Sequence, residues 1–253
     1  MRPNYPLKVL TRTLFEYILA IAKKFVLHVE RREEAIIPMH ITILAVGSRG
    51  DAQPYVALGA GLQAAGHDVR IATHEVFRDL VTGRGLDFAL IRLNPQEMLK
   101  QEAGQAWLEA GKNPIHFARH MARAFTPLLH EMLTDCYHAC IGSDAIIFSP
   151  LAIGALPAAE KLGAQAVLAP LWANLPTRAY PSPYAPPLPF GGPLAETYNR
   201  LTYDLAALPK RLFGRPIWQA INRWRSDVLG LPPTSPAEMR RQYLDVVSLK
   251  RTV

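Results

Sequence analysis

A chain of 253 residues that is 49% hydrophobic and only 19% charged can bury a core without staples, and this composition excludes a disordered or fibrous polymer. Two cysteines exclude a disulfide-rich secreted scaffold and fit a reducing cytoplasm. The net charge of +7 raises a nucleic-acid reading, but the first forty residues carry seven Lys/Arg against four Asp/Glu and much of the rest is spread from Lys210 to Arg251; with no dense basic run, no nucleic-acid partner is expected, and a membrane surface or a solvated face fits better.

The first predicted element is a helix over Lys8 to Glu34. Leu10, Leu14, Tyr17, Ile18, Ile21, Phe25 and Val29 form one apolar stripe, and Lys23, Lys24, Arg31 and Arg32 stand among the polar positions. Three readings fit: a basic amphipathic helix on an anionic membrane surface, a helix docked on the domain, or a leader ahead of a true start at Met39. Glu16, Lys23 and Lys24 break the apolar run, and no small-residue cleavage site follows, so a transmembrane span and a signal peptide are both excluded.

Next comes ITILAVGSRGDAQPYVALGAGLQAAGHDVRIATH, residues 41–74. Ile41, Ile43, Leu44 and Val46 make the near-continuous apolar run of a strand buried on both faces. Gly47-Ser48-Arg49-Gly50 breaks it. From Pro54 the residues Val56, Ala57, Leu58, Leu62 and Ala65 recur at helical spacing, with Gly66 as the stop, and Val69, Ile71 and Ala72 form the next strand. This is a βαβ unit whose first loop faces the ligand crevice of an open sheet. Asp51 ends that loop near the helix N-terminus. It reads either as an N-cap carboxylate or as a base that accepts a proton from a bound hydroxyl. A phosphate loop is disfavoured: G-x-x-G-D is neither G-x-G-x-x-G nor a P-loop, and Asp51 repels a phosphate at that helix end, which also disfavours an NAD-type oxidoreductase. His74 closes the second strand, within reach of the same crevice.

The alternation continues with strands at Phe88 to Ile91, Ala145 to Phe148 and Ala166 to Ala169, a turn at Gly142-Ser143-Asp144 and a helix at Gly154 to Leu162. Helices around Gln96 to Gly111 and Pro114 to Ile141 replace a short crossover. Cys136 and Cys140 share one face of the latter and read as buried hydrophobes rather than metal ligands. Residues 170–193 are proline-dense with Trp172, Tyr180, Tyr184 and Phe190 interleaved. They follow a strand end, and read either as an aromatic wall for an apolar ligand or as a stiffened surface loop. Leu194 to Leu229 reads as helical packing at the edge. The fold class is α/β, a Rossmann-like, mostly parallel sheet of at least five strands with helices on both faces.

GSRGDAQPYVALGAGLQAAGHDVRIATHEVFRDLV resembles the opening of glycosyltransferase family 28, in particular the sterol glucosyltransferases and the antibiotic glycosyltransferases. In the same order, Gly85-Leu86-Asp87-Phe88 resembles the family's third strand and Thr177-Arg178-Ala179-Tyr180-Pro181 its T-R-x-F-P segment. Asn222-Arg223-Trp224-Arg225 with Leu229-Gly230-Leu231-Pro232 resembles the end of its N-terminal domain. The resemblance runs from Met39 to Pro236. It implies the N-terminal, acceptor-binding half of a GT-B enzyme, in which two Rossmann-like domains face each other across the active site. It implies Asp51 as the catalytic base of an inverting transfer of a hexose, glucose from UDP-glucose being expected, to a sterol or lipid-like hydroxyl. Ser48, Arg49, His74, Trp172, Arg178 and Tyr180 are the expected acceptor contacts, with no cofactor and no metal beyond the UDP-sugar co-substrate.

The expected organisation is an amphipathic extension over 1–38, the acceptor domain over 39–236 and a truncated tail over 237–253. No later glycine-rich turn or acidic sugar-binding pair is present to hold the UDP-sugar, so this chain is expected to be a poor catalyst alone. The alternative is a non-catalytic module that binds an apolar ligand or a separately encoded donor domain. The expected location is the cytoplasm, peripheral on the membrane face if residues 8–34 bind lipid.

Overall fold

The apolar run that begins at Ile41 forms the central strand of a five-stranded sheet in the computed structural model, which describes residues 37–92, 114–171, 176–182, 185–213 and 215–247. The predicted helices over 8–34 and 96–111 lie outside the described residues, as does Trp172. The strands are β1 (His40–Leu44), β2 (Asp68–Thr73), β3 (Asp87–Leu90), β4 (Ala145–Phe148) and β5 (Gln165–Leu168). Every pairing is parallel and the order is β3-β2-β1-β4-β5.

Strand side chains alternate between the two faces, and both faces are covered. Ile41, Ile43 and Ala45 share a layer with Val69, Ile71, Ala145, Ile147 and Val167, closed by Tyr55, Val56 and Leu62 of helix α1 (Arg49–Ala64). On the other face Leu44 and Val46 join Ala72, Ile146, Phe148 and Leu168. That layer is closed by Leu129, Leu133 and Cys136 of α3 (Pro114–Cys140), by Ala158 of α4 (Ala155–Leu162) and by Trp224 of α6 (Arg215–Trp224). Ile43, fully buried at the centre, marks the stake: truncation to alanine there costs about 2–5 kcal/mol in lost burial and residual cavity. Gly59 lets α1 lie against β2, because a Cβ there would come within 2.9 Å of the Ile71 side chain.

The remaining helices are α2 (Arg78–Thr82), α5 (Pro193–Phe213) and α7 (Pro236–Val247). A π-helical turn over Arg225–Leu229 follows α6, where the buried Arg225 guanidinium pairs with both carboxylate oxygens of Glu160 and donates to the Pro232 carbonyl. The packed unit does not stop at 236. Met239 and Tyr243 of α7 lie against the core, Tyr243 edge-on to Phe148, so residues the sequence assigned to a tail extend the domain. Their apolar spacing on a short, polar segment was too weak to reveal this. Among the described residues no helix is long and apolar enough to cross a membrane.

The strand order reverses direction between β1 and β4, and in open parallel sheets the crevice beyond the carboxyl ends of such a pair is where ligands bind. The loop from β1 into α1 opens there.

Candidate functional site

The β1–α1 loop differs from its sequence reading in one respect. The helix starts at Arg49, not Pro54, and Asp51 is its third residue rather than part of the loop before it. Ser48, with extended backbone, is the N-cap. Its carbonyl accepts the Asp51 and Ala52 amides at 2.9 and 3.0 Å, which winds the first turn ahead of Pro54. The prolyl ring then costs one early backbone bond and does not set the start.

Asp51 reaches back over that turn. Its Oδ2 accepts the Ser48 backbone N–H at 2.7 Å and the Ser48 hydroxyl at 2.9 Å, the carboxylate side of a capping box. Its Oδ1 takes no hydrogen bond among the described residues, and the side chain is half-exposed. One oxygen is thus anchored and the other open to a hydroxyl proton. The cap and the base, alternatives in the sequence, are compatible in one carboxylate. Gly47 makes room for it: at φ +144° a Cβ would lie 2.6 Å from the Asp51 carboxyl carbon.

The other residues sort into two groups. Ser48 is bonded to Asp51, and Arg49 is exposed on the same turn with no ion pair to Asp51. His74 is buried, its Nε2 accepting the Gly47 N–H and its Nδ1 donating to the Ile91 carbonyl, each at 3.2 Å. It therefore lies beneath the loop rather than presenting a free nitrogen to the crevice. Ser149, just beyond β4, was missed in the sequence: its hydroxyl bonds both the N–H and the carbonyl of Val46 at 3.2 Å. The signal that points to it is positional, a polar residue ending an apolar strand beside the switch point. Tyr55 ties the same region to β5, its buried hydroxyl donating to the Ala169 carbonyl.

Arg178 and Tyr180 belong to a second group, a strap over residues 176–182 held on α5. Asn199 donates to the Arg178 carbonyl at 2.8 Å, and the Ser182 N–H donates to Thr202 Oγ1 at 2.8 Å. The Arg178 side chain is exposed and Tyr180 is half-buried. Burial pushes the Tyr180 phenol up, and burial together with the neighbouring Tyr180 pushes that of Tyr203 up to about 12. No hydrogen bond joins this strap to Asp51. Cys136 and Cys140 are core residues remote from the loop, both thiols pushed up by burial, that of Cys140 to about 12. A shallow cavity of about 260 Å³ beside Arg70, Asp135 and His138 does not include any residue of the loop.

Comparison with known proteins places this geometry. Residues 41–181 match the glycosyltransferase family 28 N-terminal domain. The chain is 38% identical over 204 residues to a sterol 3-beta-glucosyltransferase of Glomerella lagenarium, covering 80% of this chain and 13% of that protein. It is 38% identical over 169 residues to one of Yarrowia lipolytica, covering 65% and 11%. The chain therefore spans only about an eighth of the curated relatives it matches. Among solved structures it resembles the glycosyltransferase SnogD from Streptomyces nogalater, with 18% identity, a TM-score of 0.44 and coverage of 79% of this chain and 43% of that one. The glycosyltransferase of kitacinnamycin gives 18%, 0.46, and the same coverages. Because the family match spans more than half of the sequence and contains both the switch-point loop and the 176–181 segment, the chain belongs to glycosyltransferase family 28, of which it carries the N-terminal domain.

Proposed function

We propose that this domain binds the acceptor in an inverting, UDP-sugar-dependent glycosyl transfer, with Asp51 as the base. The acceptor hydroxyl gives its proton to Asp51 Oδ1 while its oxygen attacks the anomeric carbon. The bond from that carbon to the diphosphate breaks, its electron pair leaves with the nucleoside diphosphate, and the configuration inverts. The observation that carries this reading is the Asp51 carboxylate itself, fixed through Oδ2 and open at Oδ1 in the switch-point crevice. The names of the relatives support a sterol as acceptor and glucose as the sugar.

Donor binding belongs to a second, facing domain, contiguous with this one or separately encoded, and the acceptor domain without it is a poor catalyst. The leaving diphosphate needs electrostatic stabilisation, and the loop offers a carboxylate where a phosphate site offers free amides. The 176–182 strap, with Arg178 and Tyr180, contributes to the acceptor wall. Residues 8–34 are a candidate contact with the cytoplasmic membrane face, where a sterol acceptor resides.

The test is Asp51→Asn in the complete transferase. Turnover with UDP-glucose and a sterol should fall by roughly 10²–10⁴-fold with sterol affinity retained, the range for a lost general base. A variant that keeps most of its turnover removes Asp51 from that role.

A further inference from the structure

Asp51 is not held by α1 alone. The peptide unit between Val46 and Gly47 is joined through the Gly47 α-carbon to the next one, whose Ser48 N–H sits on the Asp51 carboxylate. Both polar groups of that peptide are taken by buried side chains that stand just beyond the two strands flanking β1. From the β4 side, the Ser149 hydroxyl donates to the Val46 carbonyl and accepts the Val46 N–H, each at 3.2 Å. From the β2 side, His74 Nε2 accepts the Gly47 N–H at 3.2 Å. Ser149 is 2% exposed and His74 1%.

These contacts also settle the state of the imidazole. A backbone N–H only donates, so Nε2 must carry a lone pair. A carbonyl only accepts, so Nδ1, 3.2 Å from the Ile91 oxygen, must carry the proton. Only the neutral Nδ1–H tautomer satisfies both.

We infer that His74 and Ser149 are positioning residues that clamp the Val46–Gly47 peptide from opposite sides and so aim the Asp51 carboxylate. Gly47 leaves this peptide intrinsically free to rotate, since its φ of +144° lies where no Cβ guides the chain. A turn about the Gly47 φ, which moves one of these peptides against the other, would swing the Ser48 N–H off Oδ2 and let the carboxylate turn away. The clamp removes that freedom before substrate arrives, with groups buried too deeply to touch it. The catalytic consequence rests on Asp51 being the base; the geometric consequence does not.

The experiment has a spectroscopic arm and a kinetic arm. In the ¹⁵N-labelled chain, the His74 nitrogen shifts report the tautomer, and the Ser48 amide proton reports its bond to Asp51, with Asp51→Asn as the reference for a lost carboxylate. Expected are the Nδ1–H form and a Ser48 amide that moves toward the reference in His74→Leu and in Ser149→Ala. It should stay near wild type in His74→Gln, whose carboxamide oxygen can still accept the Gly47 N–H. If His74→Leu does not fold, Ser149→Ala, the smaller deletion, carries the same readout. In the complete transferase, His74→Leu and Ser149→Ala should lower kcat toward 10²-fold with acceptor KM little changed, the expected penalty for a misaimed catalytic group, and His74→Gln should recover most of it. An Nε2–H imidazole, or a Ser48 amide unmoved in the variants that fold, overturns the clamp. If the amide moves as expected while Asp51→Asn retains turnover, the clamp stands and the base assignment fails.

Discussion

Gly47→Ala and Gly50→Ala change the same chemistry three residues apart, and the structure assigns them opposite outcomes. At Gly47 the φ of +144° costs an L residue about 1–3 kcal/mol. The new Cβ also overlaps the Asp51 carboxyl group, 2.6 Å from its carbon, so the side chain must leave Ser48 and the capping contacts worth about 0.5–2 kcal/mol are lost. Together these give a loss of roughly 2–4 kcal/mol, or a melting temperature lower by about 4–15 °C for a domain of this size. Gly50 sits inside α1, where the nearest atom to an added Cβ is the Ser48 hydroxyl oxygen at 3.6 Å. Alanine there is neutral or stabilising by up to about 1 kcal/mol, because the unfolded chain loses freedom and the helix gains propensity. Urea and thermal unfolding of both variants, followed by circular dichroism, measure the difference. Equal losses in the two variants, or a loss below about 1 kcal/mol at Gly47, would refute the reasoning that this glycine exists to admit the carboxylate.

Tyr55→Phe strands the Ala169 carbonyl in the core and should cost about 1–3 kcal/mol in chemical denaturation; no loss would mean that this bond does not hold α1 to β5. Arg225→Met removes the guanidinium that joins Glu160 to Pro232. Because the Glu160 side chain is 36% exposed and stays partly hydrated, the expected loss is about 2–3 kcal/mol rather than the 5 of a fully buried pair, and an unchanged urea midpoint would contradict it. The buried thiols carry a pH signature. Folding raises Cys140 from 9.0 to about 12, so above pH 9 the unfolded state sheds its proton first, and the contribution present below pH 9 is lost as pH rises toward 12. A Cys140→Ala variant should show a shallower fall in stability over that window; identical slopes would count against the burial. Native protein at pH 8 should leave both cysteines unreactive to a thiol reagent until denaturant is added, and fast labelling would show that the α3 core opens.

The pattern-based reading of β1, β2, β4 and β5 held to within a residue or two, because a parallel strand covered on both faces needs a short apolar run whatever else the chain does. The turn glycines were equally legible: Gly47, Gly66 and Gly142 all have positive φ. The start of α1 was not, since Pro54 carries a strong local signal for a first helical residue while the deciding interaction, Asp51 folding back on Ser48, is a side-chain contact. The packing of α7 depended on Tyr243 meeting Phe148, 95 positions away in numbering.

By itself the sequence determined an α/β parallel sheet, a glycine turn opening at its crevice and an aspartate beside that turn, and the motif carried the resemblance to the family. The sheet, the turn and the place of the aspartate rest on periodicity or spacing among near neighbours, which local backbone preferences enforce, and the family rests on the likeness of the motif. Only the tertiary structure decided which residues hold that aspartate in place. The Gly47 N–H meets His74 across 27 positions and Val46 meets Ser149 across 103, and such pairings exist only once β2 and β4 have been laid on either side of β1.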